Sequence, residues 1–561
     1  MLPQKLLLQV LFAWTSVAWS PTNSYAPAYV TCPDVSLVRD ASKLSDSETE
    51  WVAKRTEITK KNLGLFLEYS TSLDSSEYQS LLEDDTIKIG LSFSGGGYRA
   101  MLSGGGQLSG LDNRTTGAFE HGLGGLLESS TYIAGLSGGN WLVGTLALNN
   151  WTSVEEISTS DTIWNLNEPL YALGGENYIK DYEYWDEWIK DIKAKQKAGF
   201  EVSLIDVWAR ALSTVFSESA EIGAADTWST IASSDVFTNA QMPFPISISD
   251  AFISLVELTS TDTTIIETNP FELGSWDPTL DAFTLVQYLG SNLTDGEPYD
   301  SQSCVEGFDN GGFIMASSSD VFNIPADDLG EELSGILANA IDGITTTSVD
   351  KAIYPNPFYQ SAYGTQDDFA NDKYLYLVDG SEGGENVPVA PVTLTKRSTD
   401  LVLAFDNSAD TSDNWPNGAS IVSTYERQFS AIGAPYSFPY VPPTSTFLAK
   451  NFTHRPVFFG CDATNLTELS SIPPLVVYIA NSDYSFASNT KTLQLQYTDE
   501  QKLGMIQNGF EVVTRNNLTE DSNWATCVGC AAIRRAQERA GIEQSDVCQQ
   551  CFTDYCWDGE V

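Results

Sequence analysis

The chain has 561 residues and carries 75 acidic against 29 basic side chains, which gives a formal net charge of −46. This balance argues against nucleic-acid binding, because phosphate contacts need clustered Lys and Arg. Hydrophobic residues make up 42% of the chain, enough for a large core. The only two histidines are His121 and His454, which excludes a metal site built from several histidines.

The first 20 residues have the pattern of a secretory signal peptide. Lys5 precedes the short apolar run Leu6–Trp14, and the small residues Ser16–Ala18 follow it. The run is too short to span a membrane as a helix. We expect cleavage between Ala18 and Ser20, with residues 21–561 folding as a single domain. The C-terminus lacks the apolar tail of a lipid-anchor signal, so we predict a secreted, extracellular protein, with retention in the cell wall or periplasm left open.

Glycosylation sequons and cysteines support export. The N-x-S/T asparagines, predicted to carry glycans, are Asn113, Asn150, Asn292, Asn451, Asn465 and Asn517. Five of the eight cysteines lie in the segment 527–556, where two C-x2-C pairs flank a predicted helix. The spacing is typical of a zinc site, but an oxidising compartment favours disulfides. We therefore predict disulfides and no metal, with zinc as the alternative.

In chain order, a helix is predicted from Ser45, and a strand over Thr86–Phe93 leads into a glycine-rich turn. A second strand, Ser130–Ala134, precedes another glycine-rich turn and a helix. Two more predicted strands, Tyr374–Val378 and Leu401–Phe405, each end at an aspartate. Polar residues after strands indicate a site at the carboxyl edge of an α/β sheet. Residues 150–300 are interpreted as an insertion or lid-like layer.

The second turn, Gly135–Gly139, matches G-x-S-x-G, the nucleophile elbow of serine hydrolases. The flanking glycines permit a tight turn that exposes Ser137 at the start of a helix, where the dipole favours developing negative charge. A purely structural strand-to-helix turn is the alternative.

The first turn, Ser94–Arg99, contains three successive glycines whose backbone N–H groups can converge on one point. Such a turn can form an oxyanion hole, with Gly96 and Gly97 as donors, or it can hold a phosphate. Arg99 can pair with a phosphate, or it can be an ordinary surface arginine of a helix.

The base that would activate Ser137 is either Asp379 alone or His454 within a triad. His454 lies just after the sequon at Asn451, which places it near the surface, and His121 is a weak candidate in a glycine-rich loop. We favour a serine–aspartate dyad, because a partly buried carboxylate can deprotonate a serine. Since an ordinary aspartate has a pKa near 4, we expect activity to persist near pH 4.

Three blocks carry a resemblance to a known family: Leu91–Met101, Gly135–Trp141 and Val378–Pro388. They resemble the signature blocks of the fungal phospholipase B or lysophospholipase family, which is related to the catalytic module of the cytosolic calcium-dependent phospholipases. The resemblance extends over roughly residues 25–556.

The resemblance implies an α/β fold with a central mixed sheet flanked by helices, a patatin-like serine–aspartate hydrolase with large insertions. It implies Ser137 as nucleophile, Asp379 as base, Gly96 and Gly97 as oxyanion donors and Arg99 as the phosphate ligand. It further implies phospholipid and lysophospholipid substrates met at a micelle or membrane surface, with no cofactor and no stable protein partner. One departure is Ser381, which follows Asp379-Gly380 where many relatives have a second glycine.

Two other functions also fit the composition. Acidity, abundant Trp and Tyr and several sequons suit a secreted glycoside hydrolase with paired carboxylates. They also suit a non-enzymatic cell-wall glycoprotein. Neither accounts for the two glycine-rich turns between strand and helix.

Overall fold

The computed structural model describes residues 20–560 except 161, 176, 220–221, 253–262, 321–350, 365–366 and 470, and it omits the side chains of residues 178, 367 and 368. The predicted signal peptide therefore lies almost wholly outside the described residues. The strands are β1 Ala28–Val30, β2 Val38–Asp40, β3 Ile89–Phe93, β4 Tyr132–Leu136, β5 Phe244–Phe252, β6 Thr264–Thr268, β7 Glu272–Ser275, β8 Ala282–Leu285, β9 Leu293–Thr294, β10 Glu297–Pro298, β11 Cys304–Glu306, β12 Ala352–Pro355, β13 Tyr374–Asp379, β14 Leu401–Asp406, β15 Val457–Phe459 and β16 Leu475–Ala480.

The α-helices connect these strands and cover the faces of the sheet. They are α1 Asp46–Ser70, α2 Gln79–Asp84, α3 Gly97–Leu111, α4 Leu126–Ser129, α5 Ser137–Leu148, α6 Val154–Ser158, α7 Tyr178–Lys197, α8 Leu204–Phe216, α9 Asp235–Thr238, α10 Gly311–Ser317, α11 Asp367–Asn371, α12 Ala390–Thr393, α13 Ala419–Arg427, α14 Thr444–Ala449, α15 Asp499–Val513, α16 Trp524–Ala540 and α17 Asp546–Tyr555. Their apolar sides pack with the buried strands into one continuous hydrophobic core.

A central mixed sheet organises the molecule, as predicted. Its order is β15-β16-β14-β3-β4-β5-β6-β7-β8-β2, and β13 pairs with both β5 and β12. Strands β16, β14, β3, β4 and β5 are parallel, whereas β6, β7, β8 and β2 continue the sheet in antiparallel fashion. The parallel strands β3, β4 and β14 are buried along their whole length, as expected for strands covered on both faces.

The prediction that residues 150–300 form an insertion or lid-like layer is wrong for much of that range. Strands β5 to β8 all fall within it, and β5 lies directly beside β4 in the centre of the sheet. The Ser, Thr and Asp content that suggested a surface layer belongs here to buried positions, including Ser247 and Asp250 on β5. Buried polar groups on a central strand are compatible with folding when they are hydrogen-bonded.

Strand direction also corrects the sequence analysis. Strands β3, β4 and β14 end at the same edge of the sheet, but β13 is antiparallel to β5. The aspartate at the end of β13 therefore approaches that edge from the opposite direction.

All eight cysteines form disulfides, which confirms the prediction of disulfides over zinc. The pairs Cys527–Cys551 and Cys530–Cys548 join α16 to α17. The other two pairs are Cys32–Cys304, beside the pairing of β1 with β11, and Cys461–Cys556.

Among the described residues, no helix has both the length and the apolar character needed to cross a membrane.

Candidate active site

Ser137 is placed by a sharp turn between a strand and a helix. Strand β4 ends at Leu136 and α5 begins at Ser137, whose φ of 48° lies in the left-handed region that non-glycine residues rarely adopt. The Ser137 N–H donates to Ser318, at 2.9 Å to the backbone oxygen and 3.1 Å to Oγ. A strained serine fixed between strand and helix is the geometry of a nucleophile elbow.

Glycines allow the neighbouring backbone segments to approach this turn. A Cβ on Gly138 would collide with the carbonyl oxygen of Gly97, and a Cβ on Gly139 would collide with that of Phe93. The elbow and the glycine-rich turn after β3 are therefore in direct backbone contact.

Asp379 reaches Ser137 because two strands meet end to end along one edge of β5. On that edge, Leu136 at the end of β4 pairs with Ile248, and Asp379 at the end of β13 pairs with the next residue, Ser249. Strand β6 occupies the opposite edge of β5. The carboxyl ends of β4 and β13 consequently point towards each other.

The Asp379 carboxylate accepts the Ser381 N–H at 2.9 Å, and Ser137 lies close enough to lower its pKa. Burial raises the pKa of Asp379 to about 6, and Ser381 and Ser137 oppose this rise. Both residues are nearly buried, with 7% of Ser137 and 9% of Asp379 exposed. This carboxylate can accept the serine proton near neutral pH.

The glycine-rich turn supplies hydrogen-bond donors beside the serine. Gly96 caps α3 with a φ of 136°, and Gly97 begins the helix with a φ of 60°. The first N–H groups of a helix have no acceptor within it. The turn therefore presents the backbone groups that an oxyanion hole requires, next to Ser137.

Arg99 is not a surface arginine, since only 1% of it is exposed. Its Nε donates to the Asn407 carbonyl at 2.9 Å, and its Nη1 donates to the Thr490 carbonyl at 2.7 Å and to Thr492 Oγ1 at 3.1 Å. Its Nη2 lies against Gly96, close to where a Cβ would be. No ion pair to Arg99 occurs within the described residues, so the guanidinium is held by neutral oxygens beside the glycine-rich turn.

Burial lowers the pKa of Arg99 to about 10, partly offset by attraction to Tyr497, Asp406 and Asp410. The guanidinium remains charged at neutral pH. A buried cation without a bonded carboxylate is a suitable partner for an incoming anion.

The two histidines lie away from this arrangement. His121 and His454 are exposed, and within the described part of the chain neither is hydrogen-bonded to Ser137 or Asp379. The geometry therefore brings the carboxylate, not an imidazole, to the serine.

Three neighbours of the site were not singled out by sequence analysis. Ser318 holds the Ser137 N–H, Asn386 contacts the glycine-rich turn, and Asp250 accepts the Gly383 N–H at 2.6 Å in the loop after Asp379. Only Asn386 lay within a recognised block, and no local pattern points to the other two.

No group of side chains suited to hold a metal ion occurs within the described part of the chain. The sequon asparagines 113, 150, 292, 451 and 465 are exposed, and Asn517 is half-buried.

Comparison with known proteins identifies the family. The model of the lysophospholipase catalytic domain matches residues 89–561. The chain belongs to the lysophospholipase family. A lysophospholipase of Torulaspora delbrueckii is 49% identical over 98% of this chain and 88% of its own length. Lysophospholipase 1 of Saccharomyces cerevisiae is 48% identical over 97% of this chain and 85% of its own length.

Among solved structures, human GIVD cytosolic phospholipase A2 is similar in fold. Its TM-score is 0.63 at 17% sequence identity, and the match covers 91% of this chain and 67% of the human one. The same human protein has been solved in complex with methyl gamma-linolenyl fluorophosphonate, with a TM-score of 0.59. The resemblance to both groups that the sequence blocks indicated is confirmed.

Proposed function

We propose that this lysophospholipase is a secreted enzyme that hydrolyses the acyl esters of lysophospholipids and diacyl glycerophospholipids through a Ser137–Asp379 dyad and an acyl-enzyme. The observation that carries the proposal is the meeting of β4 and β13 on one edge of β5, which brings the buried Asp379 carboxylate, with its raised pKa, to Ser137. Relatives named lysophospholipases support the substrate class. Transfer of the acyl group to an alcohol is a further outcome of the same chemistry.

In the first half of the proposed reaction, Asp379 accepts the proton of Ser137 while Oγ attacks the ester carbonyl carbon. The N–H groups of Gly96 and Gly97 stabilise the oxyanion, and Arg99 pairs with the phosphate of the head group. The protonated Asp379 then gives its proton to the departing glycerol oxygen, which leaves Ser137 acylated.

In the second half, a water molecule gives a proton to Asp379 and attacks the acyl carbon. Collapse of the tetrahedral intermediate releases the fatty acid, and the proton on Asp379 returns to Ser137. No cofactor is needed for either half.

Location and domain organisation belong to the same proposal. The proposed enzyme has a signal peptide over residues 1–20, a single catalytic domain over 21–561 and glycans on the six sequons. Its four disulfides agree with secretion, because disulfides persist in oxidising compartments. The glycoside hydrolase and the non-enzymatic wall protein are not favoured, since the family match offers no support for either.

The test is release of fatty acid from lysophosphatidylcholine and phosphatidylcholine by the purified protein, compared with Ser137→Ala. We expect turnover by the natural protein, its loss in the variant, and labelling of Ser137 by a fluorophosphonate. An absence of turnover on both lipids would reject the substrate class. Full activity of Ser137→Ala would reject the nucleophile.

A further inference from the structure

Asn386, in the loop after Asp379, is hydrogen-bonded to the glycine-rich turn. Its backbone oxygen accepts the Gly95 N–H at 3.0 Å, and its Nδ2 donates to the Gly95 oxygen at 3.3 Å. The same Nδ2 donates to Ser408 Oγ at 2.7 Å. Because both bonds come from the amide nitrogen, the orientation of the side-chain amide is fixed.

This orientation directs the amide oxygen of Asn386 towards the reacting centre. A Cβ on Gly95 would touch Asn386 Oδ1 and would lie 3.0 Å from Ser137 Cβ, so these two atoms border the same point. Oδ1 accepts no hydrogen bond from the described residues, and Asn386 is only half-buried. The site therefore contains, next to Ser137, an acceptor to which no described residue donates.

The two proposed substrate classes differ in whether they can use this acceptor. A lysophospholipid that carries its acyl chain on the terminal glycerol carbon has a free hydroxyl on the adjacent carbon. In a diacyl phospholipid the same position is esterified and has no O–H to donate. A hydroxyl donor next to the scissile ester is thus present in the lysophospholipid and absent from the diacyl phospholipid.

We propose that Asn386 Oδ1 accepts a hydrogen bond from the free glycerol hydroxyl of a monoacyl substrate and makes the site selective for it. The inference rests on the proposed function, since it assigns a substrate contact to the site around Ser137. Sites that bind a substrate hydroxyl discriminate against analogues lacking it, because their polar groups are then left unpaired.

The experiment compares palmitoyl lysophosphatidylcholine with its deoxy analogue, in which hydrogen replaces the free glycerol hydroxyl. Both lipids have the same acyl chain, phosphate and choline, so the ratio of their kcat/KM values isolates the hydroxyl. We expect the natural protein to favour the hydroxylated lipid about tenfold, as one hydrogen bond of roughly 1.4 kcal/mol would give. In Asn386→Ala we expect this ratio to fall close to one.

Ser408→Ala is the matched control, because it removes one partner of Nδ2 and leaves Oδ1 in place. We expect it to lower both rates together and to keep the ratio. If Asn386→Ala is too slow to assay, binding of the two lipids to Ser137→Ala and to Ser137→Ala/Asn386→Ala gives the same ratio without turnover.

A ratio near one in the natural protein would overturn the inference, and so would an unchanged ratio in Asn386→Ala. Either result would leave the proposed hydrolysis intact. Hydrolysis of neither lipid by the natural protein would instead reject the proposed function itself.

Discussion

Buried charges have different partners beside strand β6 and at the site around Ser137. Arg397 pairs with Glu48 at 2.8 Å and with Glu267 of β6 at 2.6 Å, and all three side chains are at most 2% exposed. At the site around Ser137, Arg99 and Asp379 are also buried, yet neither makes an ion pair among the described residues. The Arg397 cation is thus neutralised by two carboxylates, whereas Arg99 and Asp379 have no counter-ion of their own within the described residues.

The largest expected effect comes from removing the charge of Asp379. We expect Asp379→Asn to lower kcat on lysophosphatidylcholine about 10⁴-fold, because the amide cannot accept the Ser137 proton. Circular dichroism should show an unchanged fold. His454→Ala is the control and should keep most of the activity; an equally inactive His454→Ala would establish a triad in place of the dyad.

The second prediction concerns the Arg397 triad, which comprises Arg397, Glu48 and Glu267, and its contribution to the free energy of unfolding. We expect Arg397→Met to reduce the free energy of unfolding by about 3–5 kcal/mol, because two carboxylates are left buried without their cation. Urea denaturation with intact disulfides measures this change. Lys43→Met, which breaks the exposed pair with Asp46, should leave the free energy of unfolding almost unchanged, because solvent screens this pair. Equal losses in the two variants would contradict the comparison.

Substitution of Arg99 should reduce the hydrolysis of esters that carry a phosphate more than that of esters that lack one. We expect Arg99→Met to lower kcat/KM about 10- to 100-fold for lysophosphatidylcholine relative to a monoacylglycerol, which lacks the phosphate. Arg55 is the matched control, since it is equally buried and its donors bind only backbone carbonyls. Arg55→Met should leave the ratio of the two substrates unchanged. An unchanged ratio in Arg99→Met would reject the proposal that Arg99 binds the substrate phosphate.

The smallest expected effect is the shape of the pH profile. Because the pKa of Asp379 is about 6, the carboxyl becomes protonated as the pH falls below that value and can no longer act as a base. We expect kcat/KM of the free enzyme to decline about tenfold per pH unit below pH 6. The folded state holds this proton more tightly than the unfolded chain, so the contribution of Asp379 to stability decreases as the pH rises from about 4 through 6. A rate that stays level down to pH 4 would contradict the raised pKa.

This profile revises the sequence-based expectation of activity near pH 4. That expectation used the pKa of an ordinary aspartate, whereas complete burial of the carboxyl penalises its charged form. The extent of burial depends on tertiary packing and cannot be read from the residues around Asp379. A decline below pH 6 consequently does not distinguish the dyad from a histidine base, and the His454→Ala variant must do so.

Local patterns predicted the elements that carry the site. The strand before Ser137, the glycine-rich turn before Arg99 and the strand ending at Asp379 all occur where their sequences indicated. Each depends on short-range features, namely an apolar run followed by glycines or a polar residue.

Relations between distant segments could not be predicted. The antiparallel direction of β13 and the central place of β5 are set by strand pairing. The sequence of a strand does not show which other strand it pairs with. The contact of Ser318 with Ser137 and that of Asn386 with Gly95 join segments far apart in the sequence. Such contacts follow from topology and leave no local signature.

The end-to-end meeting of β4 and β13 has a consequence for biogenesis. Asp379 can approach Ser137 only after β13 has docked on β5, a long-range pairing that is slow to form in folding. With the proposed dyad, a nascent chain that already contains Ser137 would gain ester-cleaving activity only after β13 has paired with β5.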